Sequence, residues 1–306
     1  MSVPLATFLG ADWQTLADAF GLGGIYALMA VGIGLVFGVL RLVNFAYGQL
    51  VMAGAYALAF AYERGWPLWS GIVLCFAVAV MLSVAMDWAV FRPLRGQSPA
   101  VMLVATFAVA FLLQSIALLW FGSLGKIAAS LAQLNQPWTI GGVDIRKISV
   151  VSTAVAAGCL VLLVLLLGRT NIGLHMRAAA LDFRTARLLG VRANRVIGSA
   201  VLVSGLLAAT VAVMMTVQTP LVTPDFALKD TVLVLAGVVL GGMNRLVSAT
   251  LGGFVIGFAW GFLGGALPTD QSQYLPSFIF AAVILVLLIR PGGLFTRSGD
   301  QALERV

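Results

Sequence analysis

Arg169–Arg195 reads RTNIGLHMRAAALDFRTARLLGVRANR, and this stretch decides how the rest of the chain is arranged. It holds six of the eighteen Lys and Arg residues and the only histidine, His175, in a chain that is 61% hydrophobic and 9% charged. Apolar sequence flanks it on both sides. A basic, partly helical island between two apolar spans predicts a loop on the cytoplasmic face of a membrane, where a soluble partner can reach it. Fixing that loop inside fixes the side of every other connection.

Working outward, apolar runs of about 20 residues match the length of a helix crossing a hydrocarbon core roughly 30 Å thick. Spans are predicted near 21–40, 42–62, 67–91, 100–121, 148–168, 196–217, 230–243, 247–266 and 276–290, the seventh and ninth being short. The fold class is therefore all-α, a polytopic transmembrane bundle of about eight to nine spans forming a single domain over 1–306, with a cytoplasmic loop at 169–195. No stretch alternates as a membrane β-barrel would. Mean hydropathy of +1.06 excludes an ordinary soluble domain. The first twenty residues lack the basic start of a cleavable signal peptide and carry Asp12 and Asp18 instead.

The net charge of +7 raises nucleic acid as a partner, but the distribution of charge points to topology. With alternating spans, thirteen of the eighteen basic residues fall inside, all of them arginine, and five fall outside. The N-terminus is then outside and the tail from Arg290 inside. Lys126, Arg146 and Lys147 are outer exceptions. Contact with anionic lipid headgroups is a secondary use of the inner arginines.

Catalytic signatures are missing. WFGSLGKIA has Trp120 where a phosphate-binding loop needs its first glycine and Ile127 where it needs Ser or Thr. Cys75 and Cys159 lie in apolar spans without metal-ligand spacing, which predicts neither a metal site nor a disulfide. Asp87 is the one acid placed inside a span and not at its first residue, about one turn from Arg92, with which it can pair. A carrier coupled to protons or sodium needs better-buried ionisable groups. An intramembrane enzyme needs clustered polar residues at one depth. The energy for any transport is expected to come from elsewhere.

Two patterns stand out in the apolar sequence. Gly253, Gly257, Gly261 and Gly265 recur every four residues and so share one helix face, fit for tight packing or for sliding of one helix on another. In RLVNFAYGQL, Asn44, Tyr47 and Gln49 bring polar groups to the start of a span beside Gly48; they either line a cavity or cap helices at the interface. On a helix from Met176 to Gly190, Ala179, Phe183, Ala186 and Gly190 share a face of mostly small residues. Arg177 and Arg184 lie with Leu181 and Leu188 on the other side, and Gly190 can stop the helix.

RAAALDFRTARLLGV, with Arg177, Ala178, Ala180, Asp182, Ala186 and Gly190, resembles the cytoplasmic loop of the branched-chain amino acid ABC importer permeases, the LivH-like half. VNFAYGQL (Val43–Leu50), LGGMNRLVSATLGG (Leu240–Gly253) and RPGGLF (Arg290–Phe295) are similar to three further motifs of that family, in the same order. Tyr47 stands in place of the family's His and Gln49 in place of its acid, Leu181 in place of an acid before Asp182, and Asn244-Arg245-Leu246 interrupts the family's turn. The resemblance implies a permease subunit in the bacterial inner membrane that binds no cofactor itself. It implies a second, LivM-like permease, two cytoplasmic ATPases carrying ATP and magnesium, and a periplasmic substrate-binding protein as partners, with membrane lipid and without nucleic acid. Arg177, Ala179, Asp182, Phe183, Ala186 and Gly190 are then expected at the ATPase contact, and Asn44, Tyr47 and Gln49 along the solute path. The departures leave open a relative for urea or short amides. A self-sufficient carrier or channel is the rival class.

Overall fold

The structure is a computed structural model that describes residues 5–40, 43–94, 96–129, 131–140, 143–181, 183–242, 246–267, 271–290 and 292–295. Among them are eleven α-helices: α1 (Leu5–Leu40), α2 (Tyr47–Glu63), α3 (Leu68–Met86), α4 (Pro99–Phe121), α5 (Lys147–Arg169), α6 (Asn171–Leu181), α7 (Phe183–Leu188), α8 (Ala193–Gln218), α9 (Leu228–Gly241), α10 (Leu246–Ala266) and α11 (Leu275–Ile289). A π-helical turn, Asp87–Phe91, prolongs α3. Strands β1 (Lys126–Ile127), β2 (Pro137–Ile140), β3 (Val143–Arg146) and β4 (Leu221–Val222) form two small antiparallel ladders, β1 with β4 and β2 with β3.

Every expected span is a helix, and seven segments are long and apolar enough to cross a membrane. α2 and α9, of 17 and 14 residues, are shorter. The first helix departs from expectation by starting at Leu5 instead of near residue 21. Nothing between Leu5 and Phe20 breaks a helix, and the charge at Asp18 is met from outside α1: Arg146 pairs with it at 2.6 Å and the Ser149 hydroxyl donates to it. That pairing also accounts for one of the outer basic exceptions. Lys126 is another, held at 2.9 Å by Glu63.

The chain sorts into two compact units. In the unit made of 31–131 and 158–232, α2 packs against α3, α8 and α4. Small residues let these helices close up: a β-carbon on Gly54 would touch Ala212 and Cys75 at 3.1 Å, and one on Gly205 would meet Ser83 at 2.8 Å. The Ser83 hydroxyl donates to Val201 O of α8 at 2.8 Å, satisfying itself inside the apolar packing. Pairing of β1 with β4, and of Lys126 with Glu63, puts the far ends of α2, α4 and α8 on one side. α6 packs on α8, and α7 leads into the start of α8, the end opposite that cap.

In the unit made of 1–30, 132–157 and 233–306, the glycine stripe of α10 lies along α1. β-Carbons at Gly257, Gly261 and Gly265 would come to 2.7 Å from Tyr26 Cβ, 2.7 Å from Ala19 Cα and 2.6 Å from Thr15 Cγ2, and one at Gly253 would overlap Ala30. Gly252, on another face of α10, meets Gly237 and Gly241 of α9. Phe20, Phe254 and Phe258 flank the α1 contact as an aromatic cluster. The RPGGLF segment folds back on LGG: Leu294 N donates to Leu240 O at 2.7 Å, and Gly293, at φ +92°, lies against Gly242.

Candidate functional site

The connector before α2 is held inside the bundle. Asn44 Oδ1 accepts from Ala46 N at 3.1 Å, a local turn that spends the amide oxygen on the backbone. The Thr106 hydroxyl accepts from Phe45 N at 3.4 Å and lies 3.3 Å from Val43 O. Thr106 is the eighth residue of α4, so the connector sits about 10 Å in from that helix's end. This depth explains why α2 is short: it begins within the bundle. Irregular backbone at such a depth is tolerated where protein surrounds it.

Asn44, Tyr47 and Gln49 are all buried within the chain. The Tyr47 ring abuts Gly32, whose carbonyl accepts from the Ser204 hydroxyl at 2.9 Å, and Gly48 gives room to Thr231 and to Ala227 O. Among the described residues no hydrogen-bond partner reaches Tyr47 Oη, either polar atom of the Gln49 amide, or Tyr56 Oη. Each such group costs about 1–3 kcal/mol when left unpaired, more where water is scarce. Tyr56 is not legible as a candidate from sequence, because one tyrosine in an apolar helix is ordinary packing.

On the basic island, the helix expected from Met176 to Gly190 is helical over α6, which begins earlier at Asn171, and over α7, on either side of Asp182. Thr170 Oγ1 accepts from Gly173 N at 3.0 Å and starts α6. Gly190, at φ +90°, ends α7 with Val191 N donating to Ala186 O at 3.0 Å, a left-handed glycine stop. Ala179 and Ala186 are buried within the chain, while Arg177 and Gly190 are exposed. Asp182 lies outside the described residues, as does the Phe183 side chain. Leu188 and Leu189, by contrast, are 83% and 81% exposed.

The family of "Branched-chain amino acid transport system / permease component" matches residues 15–288. The chain belongs to this family. Among its relatives, the high-affinity branched-chain amino acid transport system permease protein BraD of Pseudomonas aeruginosa is 29% identical, over 93% of this chain and 95% of that protein. LivH of Escherichia coli K12, from the same kind of system, is 27% identical over the same shares of each chain. The solved structure of PsaBC from Streptococcus pneumoniae in complex with Fab has the same fold, with a TM-score of 0.53 at 13% identity, covering 94% of this chain and 97% of that one.

As a branched-chain amino acid transport permease component, the chain is a multi-pass membrane protein. Asp87 is buried in this permease, and its carboxylate accepts from Arg92 Nε at 3.0 Å, so its charge is compensated within the chain. Among the described residues no group of three His, Cys, Asp or Glu could hold a metal. Ala227, just before α9, has φ +62° and is buried, a left-handed conformation that costs a residue with a β-carbon about 1–2 kcal/mol. Ala227→Gly is expected to raise the melting temperature of the purified permease, by relief of about 1 kcal/mol. An unchanged or lower value would remove strain at this position from the account.

Proposed function

We propose that this permease is the transmembrane subunit of a binding-protein-dependent ABC importer in the bacterial inner membrane, moving branched-chain or other hydrophobic amino acids. The observation that carries the reading is the match of the branched-chain permease family over residues 15–288. The work is divided among subunits. ATP and magnesium sit in two cytoplasmic ATPases, solute recognition in a periplasmic binding protein, and a LivM-like permease completes the membrane pore. A conduit that held its solute tightly would trap it, so weak polar groups such as Asn44, Tyr47 and Gln49 suit the path. Because these groups are buried, the path at α2 opens only when the surrounding helices part. Gln49 and Tyr47 stand where the family carries ionisable groups, which favours urea or a short amide as the second reading.

The ATPase contact is placed on the basic island. With Ala179 and Ala186 facing inward, those alanines set the position of the docking segment, and the exposed Leu188, Leu189, Gly190 and Arg177 meet the partner.

Co-purification of the complex, followed by binding-protein-dependent uptake in proteoliposomes with leucine, isoleucine, valine, urea and acetamide, tests this reading. Uptake of an aliphatic amino acid that requires ATP is expected; uptake by the isolated chain without ATP would overturn it. The side assignment has its own check. His175 is exposed, and His175→Cys in a Cys75→Ala, Cys159→Ala background is expected to react with an impermeant maleimide only in inside-out vesicles. Labelling from the periplasmic side would reject the cytoplasmic docking segment.

A further inference from the structure

α2 carries its unpaired polar groups in register. Gln49 and Tyr56 are seven residues apart, close to two full turns, so their side chains rise from one face about 10 Å apart. Gln49 is 0% and Tyr56 3% exposed, and among the described residues neither side chain's polar atoms have a hydrogen-bond partner. Packing does explain the Tyr56 ring, which stacks on Phe121 with centroids 4.2 Å apart; it does not explain the hydroxyl. A phenylalanine would make the same stack at no polar cost.

The surroundings define what such groups can bind. α2 from Tyr47 to Tyr62, α3, α4 and α8 from Val196 to Gln218 contain no charged residue; α3, α4 and α8 pack on α2, and Lys229 and Asp230 come in only where the start of α9 meets Gly48. An amide offers a donor and an acceptor, and a phenol offers one of each, with no fixed charge. An ion with net charge, stripped of water among α3, α4 and α8, would meet no opposite charge on those helices, whereas the two charges of a zwitterion partly offset each other. Seven residues beyond Tyr56, Glu63 pairs with Lys126 of β1, so Tyr56 is the station nearer the β1–β4 cap.

We propose that Gln49 and Tyr56 are two successive hydrogen-bonding stations for a solute of no net charge, a zwitterion or a neutral amide, moving along α2, with Tyr56 reached first from the capped side. The proposal rests on the permease reading above and adds to it a residue, an order and a class of cargo. A station 10 Å from the next is too far for one small solute to bridge both, so each residue acts on its own step. In the closed packing the two groups have no partner; they gain one when solute enters, which lowers the barrier at the points where a naked polar solute would otherwise meet only hydrocarbon side chains.

The test uses the complete transporter in proteoliposomes, with labelled leucine in one arm and labelled acetamide in the other. Tyr56→Phe and Gln49→Leu are compared with the unmodified complex for uptake kcat/KM and for melting temperature. Each variant is expected to lower kcat/KM for the transported probe by about three- to tenfold, the value of one neutral hydrogen bond, while the melting temperature stays level or rises. A fall in melting temperature alongside uptake would show that the polar group has a structural partner, and would overturn the proposal. Unchanged kcat/KM in both variants would do the same while leaving the permease reading intact. If the unmodified complex takes up neither probe, the permease reading itself fails for these solutes and the stations fail with it. Competition by lysine or glutamate as effective as by leucine would overturn the restriction to uncharged cargo.

Discussion

Leu188→Glu combined with Leu189→Glu is expected to abolish ATP-dependent uptake while the permease still inserts and keeps its melting temperature. Both side chains are more than four-fifths exposed, so neither substitution removes packing from the chain itself. Glutamate there would replace two apolar anchors of a protein contact with charges that lose their water on docking. Losing two anchors of a docking face costs about 2 kcal/mol each or more, which is on the order of a thousandfold in affinity. The readouts are the amount of ATPase retained on the affinity-purified permease and the uptake rate. Full retention and normal uptake would show that these leucines rest against lipid headgroups, as apolar residues beside arginines also can. Ala186→Arg is a less informative change, because Ala186 is buried and the substitution strains the chain before it reaches any partner.

Gly257→Leu is expected to prevent stable folding. A β-carbon alone at this position would approach Tyr26 Cβ at 2.7 Å and Gly23 Cα and Leu22 O at 2.9 Å. Two of these are backbone atoms, which cannot turn aside as a side-chain tip can. α1 and α10 must therefore separate, at a cost of about 3 kcal/mol or more. Apolar transfer cannot make that good, because lipid is as apolar as the helix surface and close van der Waals contact holds such helices together. Gly264, seven positions further along the same helix, supplies the control: a β-carbon there meets only Leu275 Cδ2, at 3.6 Å. Gly264→Ala should be neutral or slightly stabilising, since alanine is the better helix former by about 1 kcal/mol. Equal loss of thermal stability in detergent for both variants would show that α10 does not depend on a close glycine face.

Much of the architecture is legible in the amino-acid sequence. Hydropathy and run length place the nine apolar helices because a backbone in lipid has few other ways to satisfy its polar groups. The four-residue glycine spacing gives a face, since the helical repeat fixes which side chains align. Reading the identity of the surface opposite that face needs the fold, and the answer, the stretch of α1 around Ala19 and Tyr26, has no sequence marker. The early start of α1 escapes the sequence for a related reason. Asp12 and Asp18 look like the end of an apolar span until Arg146, 128 residues away, is seen to neutralise Asp18.

The docking segment shows the limit most clearly. A row of small residues at helical spacing looks the same whether it receives a neighbouring subunit or packs onto its own chain. Here Ala179 and Ala186 turn inward and the leucines of RLLG turn out. Unpaired groups are likewise invisible in a sequence, which names donors and acceptors but not what stands within 3.5 Å of them. Composition, periodicity and charge asymmetry determined by themselves that the chain is a membrane-spanning helical bundle interrupted by one arginine-rich connection, because lipid constrains backbone and charge wherever the helices end up. Only the tertiary structure decided which face of each helix is inside and which buried polar groups go without partners, because those depend on contacts between residues far apart in the chain.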